Sequence, residues 1–285
     1  MISFNYLASP GELGNQMFKY AALKGISNEL KLDFLIPPSY QILNNKFVFK
    51  TLNKLKVVDN RNHSNHLLFK YFKMNSVKSK NIGYANFRDT INEKHFEFDT
   101  SFFNSKLKSF DILGYFQTYK YFENISYQIK DDFTFKNKIQ KKSLDVLEKL
   151  DEPISLHVRR GDYVTNVNHS PLDIKYYQQS IEEMGPQNQF LIFTDDVSWC
   201  KSIKTFSGEN FIFADDFNNG KEELDLSLMT LCNNHIIANS TYSWWGAWLS
   251  KKDRVLAPKY WFKNSEYSHY NTQDLYPKDW EIIVN

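Results

Sequence analysis

The sequence predicts an α/β protein whose C-terminal half is a doubly wound parallel sheet. Three observations carry that expectation. Past residue 150, short apolar runs alternate with helical segments. Those runs read as strands covered on both faces, because each crossover helix lies on the sheet. Nearly every run also ends in a polar cluster, which suits a ligand crevice at the carboxyl edge of such a sheet. The 285 residues suffice for two domains, divided here as 1–150 and 151–285.

Taken in order, residues 1 to 28 read as a short strand, a turn on Pro10, Gly11 and Gly14, and a helix through NQMFKYAALKGISNEL. Met17, Phe18, Ala21, Ala22 and Ile26 recur there at helical spacing. The stretch from 40 to 110 is rich in Asn, Lys, Phe and Tyr and shows no period that places an element, although its aromatics argue against disorder. KNKIQKKSLDVLEKL is an amphipathic helix with Ile139, Leu144, Leu147 and Leu150 on one side, ended by Asp151 to Pro153. Strands then follow at PISLHVR, QFLIFTDD, NFIFAD, HIIANS and RVLAP. The helices between them are DIKYYQQSIEEM, VSWCKSIKTF, KEELDLSLMTLCN and TYSWWGAWLSK.

Composition narrows the function. With 35 basic and 33 acidic residues the net charge is +2, which gives no electrostatic reason to bind nucleic acid. Only Cys200 and Cys232 occur, in neither a metal-type spacing nor a secreted framework, as in a reducing compartment. The N-terminus lacks a basic and apolar leader, and no run of about 18 apolar residues appears, so the expected location is cytoplasmic.

Four polar clusters mark the candidate site. In HVRRGDYV, residues 157–164, alternation lets Arg159 share a side with His157 while Arg160 does not. An arginine at the mouth of a sheet can clamp a diphosphate through its planar fork, and Asp162 can orient it or accept from a ribose hydroxyl; the bland alternative is an ion pair tying a loop. Arg160-Gly161-Asp162 spells an adhesion signal, but three residues recur by chance and no secretion signal accompanies them.

SPGELGNQMFKYAAL matches neither GxGxxG nor GxxxxGK[ST]. Asn15 and Gln16 remain as amide donors at a helix start, with capping by Asn15 the alternative. Asn239, Ser240 and Thr241 lie between a strand and a helix, where hydroxyls and amides hold a phosphate or merely cap. Trp244, Trp245 and Trp248 at helical spacing read as core. The pairs Asp195-Asp196 and Asp215-Asp216 invite a magnesium reading, but spacing supplies no third ligand. A hydrolase built on those aspartates would need carboxylates about 5 to 10 Å apart across a substrate, which nothing in the spacing provides.

Three segments together resemble one family: GELGNQMFKYAAL, HVRRGDYV and DLSLMTLCNNHIIANSTYSWWGAWL are similar to the signature stretches of the bacterial α-1,2-fucosyltransferases of glycosyltransferase family 11. LIFTDDVSWC and VLAPKYWF agree in order along residues 8 to 262, while Glu12 stands where glycine is common and Lys19 where glutamine is usual. The resemblance implies two Rossmann-like domains facing across a cleft (the GT-B type), with GDP-β-L-fucose held mainly by the C-terminal half. It also implies inverting transfer to a 2-hydroxyl without a metal or other cofactor.

On matching positions it implies Arg159 on the β-phosphate, His157 and Asp162 near the nucleotide, and Asn239, Ser240 and Thr241 at the phosphates. Asn15, with Gln16, would reach from the other domain. Asp225, sixteen residues before Thr241, corresponds to a carboxylate that reads guanine, and Asp196 is the candidate base. The implied partners are GDP-fucose and an oligosaccharide acceptor, galactosyl or lipid-linked, which brings the chain to the inner face of the membrane. Alternatives are another linkage or deoxysugar, and a catalytically silent GDP-sugar-binding protein.

Overall fold

The computed structural model describes residues 1–8, 11–38, 66–263 and 270–284. The chain forms two compact units, Met1–Thr134 with Asn271–Leu275, and Phe135–Tyr270 with Tyr276–Asn285. The helix expected to close the first half, Asn137–Leu147, groups with the second unit, so the division falls at 134/135 rather than 150/151.

The first unit is built on a four-stranded parallel sheet of β1 (Ile2–Ser3), β2 (Phe34–Leu35), β3 (Thr90–Asn92) and β4 (Phe110–Leu113), in the order β2-β1-β4-β3. Helix α1 (Leu13–Leu30) is buried along nearly its whole length, with Phe18, Tyr20, Ala21, Leu23 and Ile26 sealed from solvent. A Cβ on Gly25 would land 1.8 Å from the Tyr121 carbonyl oxygen, so only glycine permits that approach. Inside this unit Asp132 accepts from Tyr20 Oη at 2.6 Å, from Ser76 N and Oγ at 2.7 Å each, and pairs with Lys24 Nζ at 2.5 Å.

The second unit holds a six-stranded parallel sheet of β5 (Ile154–Val158), β6 (Phe190–Thr194), β7 (Phe211–Phe213), β8 (Asn234–Ile236), β9 (Arg254–Pro258) and β10 (Glu281–Ile283). The order is β10-β9-β8-β5-β6-β7. The chain leaves β5 toward β6 and β7, then returns to build β8, β9 and β10 on the other side of β5. The winding therefore reverses between β5 and β8, where such sheets open a crevice at their carboxyl ends. The expected strands are all present; β10, three residues at the chain end, was not foreseen.

The crossovers are helices Ile174–Met184, Val197–Ser202, Glu222–Met229 and Thr241–Leu249, with a short turn of helix at Asp215–Asn218. Val146, Leu147 and Leu150 pack the helix Asn137–Leu147 and its C-terminal extension onto Leu191, Phe193 and Leu228. Leu144, expected on that apolar side, is 41% exposed, because the buried stripe runs through Ser143 and Val146 instead. Trp244 and Trp245 are fully buried and stack against Trp248 and Trp280, as core. All six tryptophans of the chain belong to this unit.

Candidate functional site

Two parallel strands set side by side, each ending in a doubled charge of opposite sign, build the centre of the site. In the β5–β6 register Val158 stands opposite Thr194. The next residues continue that register: Arg159 Nη1 lies 2.9 Å from Asp195 Oδ2, and Arg160 Nε lies 3.2 Å from Asp196 Oδ2. The two arginines diverge, as alternation requires. Arg159 also reaches Asp162 Oδ1 with Nη2 at 2.5 Å and lies over the Tyr163 ring, 5.3 Å from its centroid. Arg160 lies 3.9 Å from the centroid of the Trp199 ring.

Arg159 is thus a held guanidinium. Two terminal nitrogens face carboxylates, and of its five N–H donors the Nε hydrogen and one on each terminal nitrogen stay available for a ligand. Its side chain keeps 31% of its surface exposed. Gly161 makes the arrangement possible: a Cβ there would meet Asp195 Oδ2 at 2.5 Å. Asp195 Oδ1 meanwhile accepts from the Arg160 backbone N–H at 2.8 Å, so one carboxylate fixes both the turn and the guanidinium.

Asp196 is more committed than its sequence role implied. Its Oδ1 caps the helix Val197–Ser202 by accepting from Trp199 N at 3.1 Å, and its Oδ2 holds Arg160. His157 is buried, its Nδ1 without a hydrogen-bond partner among the described residues. Burial, and then the nearby Arg159 charge, lower its pKa to about 3, so the imidazole is neutral.

Across the switch point, β8 delivers Asn239, Ser240 and Thr241 to the same edge of the sheet. Asn239 is buried, donates from Nδ2 to Ser170 O at 3.2 Å and Trp261 O at 3.1 Å, and its carbonyl accepts from Tyr163 Oη at 3.1 Å. That bond ties the Arg159 loop to the 239–241 turn. Ser240 caps the helix Thr241–Leu249, its Oγ accepting from Tyr242 N at 3.3 Å, and Thr241 opens that helix. His169 stacks on Tyr163 with ring centroids 4.8 Å apart.

Asp225 lies in the helix Glu222–Met229 and accepts from Asn218 Nδ2 at 2.8 Å. Burial raises its pKa to about 6 against the lowering effect of Asn218, with Asp215 and Glu223 adding to the rise. Asp216 pairs with Lys201 at 3.3 Å. Among the described residues no three His, Cys, Asp or Glu side chains converge as a metal site.

The first-unit residues stand differently. Helix α1 starts at Leu13 with Glu12 at its cap position, so Asn15 lies in the first turn and does not cap. Its Oδ1 accepts from Gln117 Nε2 at 2.8 Å. Gln16 is buried, its Nε2 donating to Gly11 O at 3.3 Å and its Oε1 accepting from Leu67 N at 2.7 Å, which is a tie within the unit. Pro10 of the expected turn lies outside the described residues.

The structure therefore gathers His157, Arg159, Asp162, Asp196, Asn239, Ser240 and Thr241 at one edge of one sheet. Sequence reasoning passed over Tyr163 and His169, and it weighed Asp195 as a metal or hydrolase carboxylate rather than as the partner of Arg159. The signal for Asp195 was present: Arg-Arg and Asp-Asp end two runs that read as strands.

Comparison with known proteins decides what such an edge belongs to. The model of glycosyl transferase family 11 matches residues 3–284. The chain belongs to that family. An alpha-1,2-colitosyltransferase of Escherichia coli is 32% identical over 302 residues, covering 96% of each protein. The O-antigen biosynthesis glycosyltransferase WbnK of Escherichia coli is 29% identical over 305 residues, 92% of this chain and 96% of that protein. Galactoside alpha-(1,2)-fucosyltransferase 1 of Bos taurus is 25% identical over 175 residues, 55% of this chain and 48% of that protein. The Arg159 loop and the 239–241 turn are thus parts of a glycosyltransferase. Among its described residues no helix is long and apolar enough to cross a membrane.

Proposed function

We propose that this family 11 transferase moves L-fucose from GDP-β-L-fucose to the 2-hydroxyl of a galactosyl acceptor, with inversion, during surface polysaccharide synthesis. The observation that carries the reading is the convergence of a held guanidinium, Arg159, with the Ser240–Thr241 helix start at the switch point of one sheet. Breaking the bond from fucose C1 to the phosphate oxygen leaves an oxocarbenium-like sugar and a diphosphate that gains negative charge. Cationic and amide donors fixed beforehand act where that charge grows. His157, neutral and buried, supports the nucleotide as a hydrogen-bonding group rather than as a charge.

The acceptor oxygen attacks C1 from the opposite face and gives up its proton to a base. Asp196 stands as that base, and to take the proton its Oδ2 must release Arg160 Nε. Asp225 accepts from the guanine edge. Asn15 reaches the donor from the first unit, Gln16 holding the helix that carries it, in a GT-B pair of domains facing across a cleft. Arg159 and the helix N-terminus supply the positive charge, with no metal or other cofactor. The enzyme works in the cytoplasm at the inner face of the membrane, on an oligosaccharide that is lipid-linked.

A second reading changes the donor. The 32% identity to an alpha-1,2-colitosyltransferase favours GDP-colitose, whose sugar lacks the 3-hydroxyl of fucose. Incubation with each GDP-sugar and a panel of β-galactosides, following GDP release and product linkage, separates these readings. Acceptor-dependent GDP release with an α-1,2-fucosyl product is expected. A product from GDP-colitose alone overturns the donor assignment, and GDP binding without turnover on any galactoside favours a silent binding protein.

A further inference from the structure

The loop after β5 is folded back on itself by one side chain. Asn166 Oδ1 accepts from the backbone N–H groups of Asn168 at 2.8 Å and His169 at 3.0 Å, the local turn that an asparagine amide favours. The His169 ring thereby comes to lie on Tyr163, with centroids 4.8 Å apart and planes 18° from parallel, and Phe262 closes on His169 with centroids 5.2 Å apart. Lys263 N donates to Asn168 O at 2.8 Å, so the segment after β9 anchors the same turn. Tyr163 is held before any ligand enters.

Two further contacts make this side chain a bridge. The Arg159 guanidinium carbon lies 5.3 Å from the centroid of its ring, and its hydroxyl donates to Asn239 O at 3.1 Å, the carbonyl next to Ser240. The carboxylates on Arg159 make no such connection: Asp162 belongs to the same loop, and Asp195 holds the guanidinium and the Arg160 N–H at the end of β6. Burial pushes the pKa of the Tyr163 phenol up, so its hydroxyl stays protonated and donates. Burial lowers the pKa of His169, so at neutral pH it backs the ring without a second positive charge beside Arg159.

We propose that Tyr163 is the positioning residue that sets the separation between the Arg159 guanidinium and the Ser240–Thr241 helix start, so that both grip one nucleoside diphosphate. An arginine tied to Asp162 and Asp195 alone would be free to tilt about those ion pairs. The ring beneath it limits the tilt through the attraction of a cation for an aromatic face. The hydroxyl fixes the ring to the far side of the switch point, and His169 keeps the ring from swinging away. A cradle whose two halves are set in advance spends no binding energy on bringing them together. The inference rests on the donor reading, in which Arg159 holds the second phosphate, but its test does not depend on turnover or on the sugar.

Titration calorimetry with GMP and with GDP compares the wild type with Tyr163→Phe, Tyr163→Leu, Arg159→Ala and the double variant Tyr163→Leu with Arg159→Ala. The ratio of the GMP Kd to the GDP Kd reads the grip on the second phosphate, and the wild type is expected to prefer GDP. Tyr163→Leu should shrink that ratio about tenfold and Tyr163→Phe about threefold, with GMP affinity unchanged in both. In the Arg159→Ala background Tyr163→Leu should shrink it no further, because the tyrosine acts through the arginine. Weakening that falls equally on GMP and GDP marks a merely structural residue and overturns the inference. An undiminished ratio in either single variant overturns it as well, as does a further tenfold loss when Arg159 is already absent. The phenylalanine variant keeps the ring and its stack on His169, so it carries the test if the leucine protein does not fold. A wild type that binds GDP no tighter than GMP overturns the donor reading itself, and this inference with it.

Discussion

Arg159 and Asp195 face each other across the ends of two neighbouring parallel strands, Nη1 to Oδ2 at 2.9 Å, one residue beyond the Val158–Thr194 pair of the sheet register. A guanidinium placed this way is aimed by backbone geometry before any ligand arrives. Arg159→Ala is therefore expected to lower kcat by about a hundredfold or more, the scale for losing a fixed donor at a developing anion. Lysine, a point charge without the planar fork, should recover only part of it. Steady-state kinetics on GDP-fucose checks both, and an alanine variant with unchanged kcat removes Arg159 from the chemistry.

Gly161 sets how close that carboxylate can come. Alanine there would bring a methyl to 2.5 Å from Asp195 Oδ2, forcing the carboxylate off Arg159 or off the Arg160 N–H. The expected result is a kcat about tenfold lower with a thermal midpoint close to the wild type, because the turn is at the surface. A wild-type kcat would mean that Asp195 does not govern the arginine.

Asp225 gives the donor step a pH dependence with a defined sign. In the guanine contact proposed for it, its carboxyl, raised to about 6 chiefly by burial, must be ionised to accept from an N–H pair. As pH falls through 6 the group protonates, and kcat/KM for GDP-fucose should fall by about tenfold per pH unit below it. Asp225→Asn should be weak at every pH and flat across that window. A wild-type profile that stays level from pH 7 to 5 contradicts the assignment.

Asp132 and Lys24 make the corresponding prediction for stability. The pair is sealed inside the first unit, with Tyr20 and Ser76 completing the aspartate's partners. Removing only the carboxylate, as in Asp132→Ala, leaves a buried ammonium and should cost about 3 to 5 kcal/mol in chemical denaturation. The double change Asp132→Leu with Lys24→Met should restore much of the loss, and equal losses in both would place the energy elsewhere.

Five of the six C-terminal strands were legible because they lie in short apolar-rich runs, and those of β5, β6, β7 and β8 are each followed by a helix that must cover them. In the first unit only the short opening strand at Ile2–Ser3 was read: Phe34–Leu35 is two residues long, and Thr90–Asn92 carries no apolar alternation. Helix α1 was read from its apolar recurrences even though burial on nearly all its sides weakens the one-sided stripe that periodicity reads. At the site, residue types and strand ends were readable, and so was the divergence of Arg159 from Arg160. The Arg159–Asp195 pairing was hidden because it depends on which strand neighbours which, a fact of topology rather than of local pattern. The hold of Arg160 on Asp196 was hidden in the same way, one carboxylate oxygen being claimed by a residue 36 positions earlier.

Since every indole of the chain lies in the second unit, its intrinsic emission is a one-sided optical gauge. Melting of the first unit would pass unseen at 295 nm excitation, while circular dichroism would register it. Mismatch between the two signals would then report sequential loss of the halves, and superimposable curves would mean that they come apart together.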